Sequence, residues 1–373
     1  MPDTTANAPN VPYVNFPAQF ADEKADILAC VEAVFSKGEF GGGGVVEDLE
    51  EALADTVGVK HAVALNSGTD ALILTMRAMD IGPGDEVITP PNSFIASAGA
   101  IIATGATPVF ADVQTDQNID PAAIEAAITE NTRAVMPVHL TGRTCDMDAI
   151  SSIAEKHGVA IIEDAAQSFA SQYEGKPSGS FGRAGCFSAH PLKNLNAAGD
   201  AGFVTTNDRA LAERLRLLRN HGLANRDTVV EWGTVSRMDG LQAAVLLMRL
   251  KKIAAIIDAR RRNAALYQGL FAGSDVFCPP CRAHEFNTFH TFVVQVDRRD
   301  ELQAFLTEKG IETAVHYPTP LHLQPAAKAL GYKAGDFPVT EEQAGRILSL
   351  PVHQFLTDDD VEFVADAIQE FYR

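Results

Sequence analysis

The chain has 373 residues, 46% of them hydrophobic and 21% charged, a size that suits one large core and one smaller. A net charge of −19 excludes the basic footprint that nucleic acid or an anionic membrane surface requires, and leaves any phosphate site dependent on local donors. No apolar run is long enough to span a membrane.

The opening Pro2-Asp3-Thr4-Thr5 lacks the basic and apolar parts of a signal peptide, so the cytoplasm is the expected compartment. From about residue 45 to 335 short apolar strands alternate with amphipathic helices, the pattern of a sheet with crossover helices. Strands are predicted at Ala62–Leu65, Glu86–Thr89, Pro108–Ala111, Ala134–Val138, Val159–Glu163, Gly185–Ser188 and Gly202–Thr206. Helices are predicted at Thr69–Met79, at Pro121–Ile128 with Asp120 as N-cap, and at Asn207–Asn220 with Asn207 as cap. One long helix is predicted from Met238 to Leu270, its apolar face carrying Leu241, Val245, Met248 and Ile253, with Arg260, Arg261 and Arg262 exposed. A compact α+β unit follows: strand Thr291–Val296, helix Arg299–Lys309, strand Glu312–Ala314 and a final helix Asp358–Tyr372. The division expected is a large domain over 1–250, whose N-terminal segment packs with either unit, and a small one over 251–373. The five cysteines are scattered, as reduced thiols are. Cys278 and Cys281 form a lone CxxC around two prolines; with no second pair it reads as a loop or the start of a strand, and no metal is expected.

Three strand ends carry chemistry, the place where open α/β sheets bind ligands. Asn66-Ser67-Gly68-Thr69-Asp70 bares backbone N–H groups at a helix N-terminus and suits a phosphate, though a plain N-cap and turn would look the same. Glu163 and Asp164 end a buried strand, where each needs a partner; Asp164 suits a protonated pyridine nitrogen, or merely caps the next helix. Lys193 follows Cys186-Phe187-Ser188 and is walled by Pro191, Leu192 and Leu195, so desolvation can free its amine for Schiff-base chemistry. His190 reads as a packed or supporting histidine. Each feature alone has a bland explanation. Together, a phosphate cradle, a carboxylate for a ring nitrogen and a lysine nucleophile match the anchoring needs of pyridoxal 5′-phosphate (PLP).

Several blocks in order extend this reading: HAVALNSGTDAL (61–72), GPGDEVITPPNSFIA (82–96), GATPVFADV (105–113), IIEDAAQS (161–168), GSFGRAGCFSAHPLKNL (179–195), SRMDGLQAAV (236–245) and HYPTPLHLQ (316–324). They resemble the DegT/DnrJ/EryC1/StrS family of sugar aminotransferases, within fold type I of the PLP enzymes, from about Val14 to the C-terminus. The resemblance implies a large, mostly parallel seven-stranded sheet domain with a smaller C-terminal α+β domain. It implies Lys193 as the Schiff-base lysine and proton shuttle, Asp164 on the pyridine nitrogen, Gln167 near the 3-oxygen and Phe94 on the ring face. Ser67, Gly68, Thr69 and Ser188 would hold the phosphate, and His316 would border the sugar site. Amino transfer from an L-amino acid, glutamate foremost, to a nucleotide-linked keto-sugar is the implied reaction, in a homodimer with active sites at the interface. That places the chain in aminosugar, lipopolysaccharide or secondary-metabolite biosynthesis.

Two segments depart from the family pattern. Gly199-Asp200-Ala201-Gly202 stands where many relatives have Gly-Glu-Gly-Gly, and Val235 stands where many have an Asn that reaches the partner subunit's cofactor phosphate. Other ketones, such as a keto-octulosonate or a keto-inositol, remain open as acceptors. A PLP-dependent dehydratase is opposed by Lys193, because the relatives that perform that reaction carry His there. The consecutive glycines at 41–44 do not make a dinucleotide fingerprint. A PLP-binding sensor without turnover is the reading from another class.

Overall fold

A computed structural model describes residues 11–373; the stretch Pro2–Thr5 lies outside them. The fold is α/β. Its main sheet has seven strands: β1 (His61–Leu65), β2 (Glu86–Thr89), β3 (Thr107–Phe110), β4 (Thr132–Val135), β5 (Ala160–Asp164), β6 (Ala184–Ser188) and β7 (Gly202–Thr206). They lie in the order β1-β7-β6-β5-β4-β2-β3. Only β7 runs antiparallel to its neighbours, pairing Leu65 with Gly202 on one side and Ser188 with Gly202 on the other. All seven strands predicted from apolar runs are therefore members of one sheet, shifted by at most three residues at an end. Runs such as Ile161-Ile162-Glu163-Asp164 are buried on both faces, as crossover helices require.

Those helices are α1 (Phe16–Lys37), α2 (Gly44–Val57), α3 (Gly68–Ala78), α4 (Ala96–Thr104), α5 (Pro121–Ala127), α6 (Met147–His157) and α7 (Arg209–Leu218). Asp120 caps α5 as predicted, accepting from the Ala122 N–H at 3.0 Å with Pro121 at the first helical position. The cap of α7 is instead Asp208, which accepts from the N–H groups of Ala210 and Leu211. Asn207 turns away to accept from the Lys60 N–H at 3.0 Å, tying α7 to the approach to β1.

The predicted long helix is two: α8 (Gly240–Leu250) and α9 (Ile253–Leu270), divided at Lys251-Lys252. The buried face of α8 carries Ala243, Val245, Leu246 and Arg249, with Met248 only half-buried. Arg249 is held by Glu23 of α1 and by the carbonyl oxygens of Asn196 and Ala197. α9 begins on the core of α8, with Ile253 and Ile257 in the same cluster as Ala243 and Leu246, and its later turns bury Ala264 and Tyr267 in a second core. The arginine cluster is likewise not simply exposed. Arg260 borders a cavity, Arg261 lies 3.9 Å over the Phe286 ring, and Arg262 alone is solvent-facing.

Beyond α9, β8 (Phe292–Gln295) pairs antiparallel with β9 (Ile347–Leu350), and α10 (Arg299–Glu308), α11 (Pro338–Arg346) and α12 (Asp358–Phe371) pack around them. The expected strand at Glu312–Ala314 is reduced to single bridges, Val11 to Ile311 and Ala314 to Ser349. Tyr267, Val294, Leu302, Leu306, Leu348 and Ile368 fill this core. The N-terminal segment touches both cores, because Val11 bridges to Ile311 while α1 packs on α8. No helix among the described residues is long and apolar enough to cross a membrane.

Candidate active site

A cavity of about 390 Å³ opens at the carboxyl end of the sheet, bounded on its far side by residues of the C-terminal unit. Ser67, Gly68, Thr69, Phe94, Asp164, Gln167, Ser188, Lys193 and His316, the nine residues singled out from the sequence, all line it.

The turn after β1 forms one end. Ser67 caps α3, its Oγ accepting from the Asp70 N–H at 3.1 Å. This leaves the Gly68 and Thr69 amides, the first two of an 11-residue helix, with no acceptor among the described residues. The turn lies tight against its neighbours. A Cβ on Gly68 would sit 2.7 Å from Ser188 Cβ, and one on Gly202 would sit 2.3 Å from the Ser67 carbonyl carbon. Glycine at both places is what lets two strand ends close into a small anion cradle. Gly202 therefore keeps its packing role within Gly199-Asp200-Ala201-Gly202, while Asp200 and Ala201 border the cavity. Val235 is exposed and bridges to Asn220, with no polar side-chain atom to offer.

Asp164 ends β5 in the cavity floor. Its carboxylate accepts from Ser97 Oγ at 2.7 Å and from the Ala166 N–H at 3.2 Å, and Ser97 is in turn linked to Ser93. Burial raises the Asp164 pKa above the ordinary value, the hydrogen bonds only partly offsetting it. A buried carboxylate so placed is short of positive charge. Lys193 shows the reverse: burial lowers its pKa from 10.5 to about 8, with Asp164 pulling the other way. An amine in this condition is a nucleophile near neutral pH.

Gln167 is fixed at both ends, its Oε1 accepting from the Thr141 N–H at 2.9 Å and its Nε2 donating to Tyr317 Oη at 3.2 Å. Phe94 is exposed on the rim, 6.0 Å from the Tyr317 ring. His316 stacks on Tyr13 at 5.9 Å and shares a 2.8 Å hydrogen bond with Ser349 Oγ; burial holds its pKa down at about 4, so it is neutral. His190 is not packed: it is exposed at the cavity edge, its Nδ1 accepting from the Leu192 N–H. Glu163, the other acid of the pair, faces away from the cavity. The CxxC cysteines are both free thiols, and no cluster of potential metal ligands occurs among the described residues.

Sequence reasoning missed Tyr13, Ser97, Arg260, His290, Tyr317 and His353. For Arg260 a signal was present: positions 256, 257, 260, 263, 264 and 267 lie on one helical face, and Arg260 belongs to it. Ser97 carries no such signal, because its role arises from a contact 67 residues away.

These donors suit PLP: open amides for a phosphate, an under-compensated carboxylate for a pyridinium nitrogen, and a depressed amine for an aldehyde. Comparisons with known proteins agree. The model of the DegT/DnrJ/EryC1/StrS aminotransferase family matches residues 21–369. A "pleiotropic regulatory protein" from Geobacillus stearothermophilus is 42% identical over 98% of this chain and 99% of its own. A dTDP-3-amino-3,4,6-trideoxy-alpha-D-glucose transaminase from Streptomyces venezuelae is 41% identical over 98% of this chain and 97% of its own. Among solved structures, S. venezuelae DesV in complex with a ketimine intermediate superimposes with a TM-score of 0.95, at 40% identity over 98% of this chain and 99% of that one. Fold and site thus define a PLP-dependent aminotransferase. More particularly, the chain belongs to the DegT/DnrJ/EryC1/StrS aminotransferase family.

Proposed function

We propose that this enzyme transfers an amino group from an L-amino acid, glutamate foremost, to a nucleotide-linked keto-sugar in aminosugar biosynthesis. The observation that carries the reading is Lys193, with its lowered pKa, bordering the same cavity as Asp164 and the open amides of α3. Relatives named for amino transfer on dTDP- and UDP-linked sugars support the acceptor class. When bound, PLP supplies an electron sink that lets a proton leave the carbon beside the amine.

The chain's own residues do the rest. Gly68 and Thr69 amides, with Ser67 and Ser188, hold the phosphate, so the ring is anchored before chemistry begins. Asp164 keeps the ring nitrogen protonated, and Ser97 and the Ala166 amide fix the carboxylate in place. Gln167 would reach the 3-oxygen, and Phe94 would cover a ring face. Lys193 would hold the cofactor through its Nζ, and the same amine, once free, would be the base that moves the proton at the amine-bearing carbon. His316, neutral and on the opposite wall, borders the sugar.

We divide the chain into a cofactor-binding domain over 1–250 and a small domain over 251–373, since α9 runs from the core it shares with α8 into a second core at Ala264 and Tyr267. A homodimer suits a site whose Phe94 and Leu192 stay exposed at its rim. Five unpaired thiols suit a cytoplasmic enzyme.

The experiment is to convert the holoenzyme with L-glutamate, then offer keto-sugars and watch the aldehyde absorbance return. Nucleotide-linked ketones should restore it. Restoration only by a keto-octulosonate or keto-inositol would move the acceptor class, and no conversion by any amino acid would favour a sensor.

A further inference from the structure

The wall of the cavity facing away from the sheet contains a charged group without a counter-ion. Arg260 projects from α9, and its Nη1 donates to the carbonyl oxygens of Phe289 and His290, both at 3.2 Å. No carboxylate among the described residues pairs with it, and its Nε is buried without an acceptor. Two further atoms on this wall are in the same condition, His290 Nδ1 and Thr291 Oγ1. Arg260, His290 and Thr291 all border the cavity. A guanidinium edge and a hydroxyl that have no acceptor are a site for a group that only accepts hydrogen bonds.

Charge narrows the choice. In a chain of net charge −19, an anion entering this cavity finds few cations. His316 and His353 are held near pKa 4 by burial, and His290 lies well below its ordinary value, so these three are neutral at pH 7. Among the described residues lining the cavity, Arg260 is the only permanent cation, since Lys193 is a depressed amine committed to the cofactor. The aldehyde carbon that Lys193 would hold is where an incoming amine would react. In an α-amino acid the carboxylate is two bonds from that nitrogen, so its counter-ion must be close to Lys193. Arg260 meets this condition: both residues also border the small recess lined by Val14, Leu192 and His353, and the His290 ring feels the charge of both.

We infer that Arg260, with Thr291 and His290 beside it, binds the α-carboxylate of the amino donor and thereby selects amino acids over simple amines. The assignment rests on the reading of the chain as an aminotransferase with an α-amino acid donor. An arginine is the suitable side chain, since its fork meets both carboxylate oxygens at once and burial strengthens each bond. With Nη1 tied to two carbonyl oxygens, the guanidinium is positioned before the donor arrives.

The test compares donors on the holoenzyme. The half-reaction is followed spectroscopically with L-glutamate and with benzylamine, an amine without a carboxylate. Calorimetry follows the binding of glutarate, which cannot react, and of UDP. Arg260→Gln should lower the kcat/KM ratio of glutamate to benzylamine about 100-fold and weaken glutarate at least tenfold. Arg260→Lys should fall between, keeping the charge without the fork, and it preserves the test if the glutamine variant does not fold. A ratio within threefold of the wild type in both variants overturns the inference and leaves the aminotransferase reading intact. Weakened UDP binding with glutarate unchanged also overturns it, by giving the guanidinium to a diphosphate. A wild type that accepts benzylamine but no α-amino acid sinks the donor reading and this inference together.

Discussion

At the end of β5 the chain places two acids side by side, and the pleat sends them to opposite faces of the sheet. Glu163 points away from the cavity and is fully buried. It accepts from the N–H groups of Gly179, Phe181 and Gly182 at 2.6–2.8 Å, and from His139 Nε2 at 2.9 Å. The Cys145 N–H donates to His139 Nδ1, so the ring proton sits on Nε2 and points at the glutamate. Asp164, buried but bordering the cavity, receives one hydroxyl and one amide. Four donors satisfy the first carboxylate, which pins the loop at 179–182 under the sheet. Two donors leave the second wanting a cation. The contrast shows how one strand can supply a structural acid and a reactive one: the difference lies in how much of the charge the protein compensates itself.

Substitutions should separate the two roles. Asp164→Asn removes the charge that keeps the ring nitrogen protonated, so kcat should fall about 10²–10⁴-fold while the fold persists. Stopped-flow measurement of the glutamate half-reaction checks this; a change within about threefold would release Asp164 from that role. Glu163→Gln should do the opposite, costing about 2–4 kcal/mol of stability in denaturant unfolding through broken hydrogen bonds on the far side of the sheet.

A smaller effect of reversed sign belongs to Lys193. Its pKa in the fold, about 8, lies below the ordinary 10.5, so below pH 8 the fold must bury a charge that the unfolded chain keeps solvated. That penalty fades as pH rises from about 8 to about 10.5, where both states become neutral. Lys193→Met should therefore stabilise the cofactor-free protein at pH 7 by about 1–2 kcal/mol, with the gain vanishing near pH 10.5. Equal gains at pH 7 and pH 10.5 would contradict the depressed pKa.

Much of this was legible in the amino-acid sequence, and the limits have physical causes. Strands buried on both faces are continuous apolar runs, so β1 to β7 stand out from Ala62-Val63-Ala64-Leu65 onward. The three cavity-forming strand ends are contiguous segments, and local chemistry marks them: small residues at Ser67-Gly68, paired acids at 163–164, a lysine among apolar neighbours at 193. Contacts between distant segments left no such mark. Asn207 and Asp208 are both competent caps, and only the tie of Asn207 to Lys60 decides between them. Charge at Arg260 looked like solvent exposure, although its place on the face shared by Ile256, Ile257 and Tyr267 argued for burial. The break between α8 and α9 has no proline or glycine behind it, and Ile253 and Ile257 beyond it stay in the core of α8, so neither the sequence nor the packing marks it.

The central claim is that Lys193 is the residue that engages the cofactor aldehyde. The direct measurement is borohydride reduction of the purified holoenzyme, followed by proteolysis and peptide mapping by mass spectrometry. A pyridoxyl adduct on Lys193, with loss of the visible absorbance, is the result expected from an amine held at about pKa 8 beside Asp164. An adduct on an exposed lysine such as Lys176 or Lys251, with Lys193 unmodified, would contradict the account.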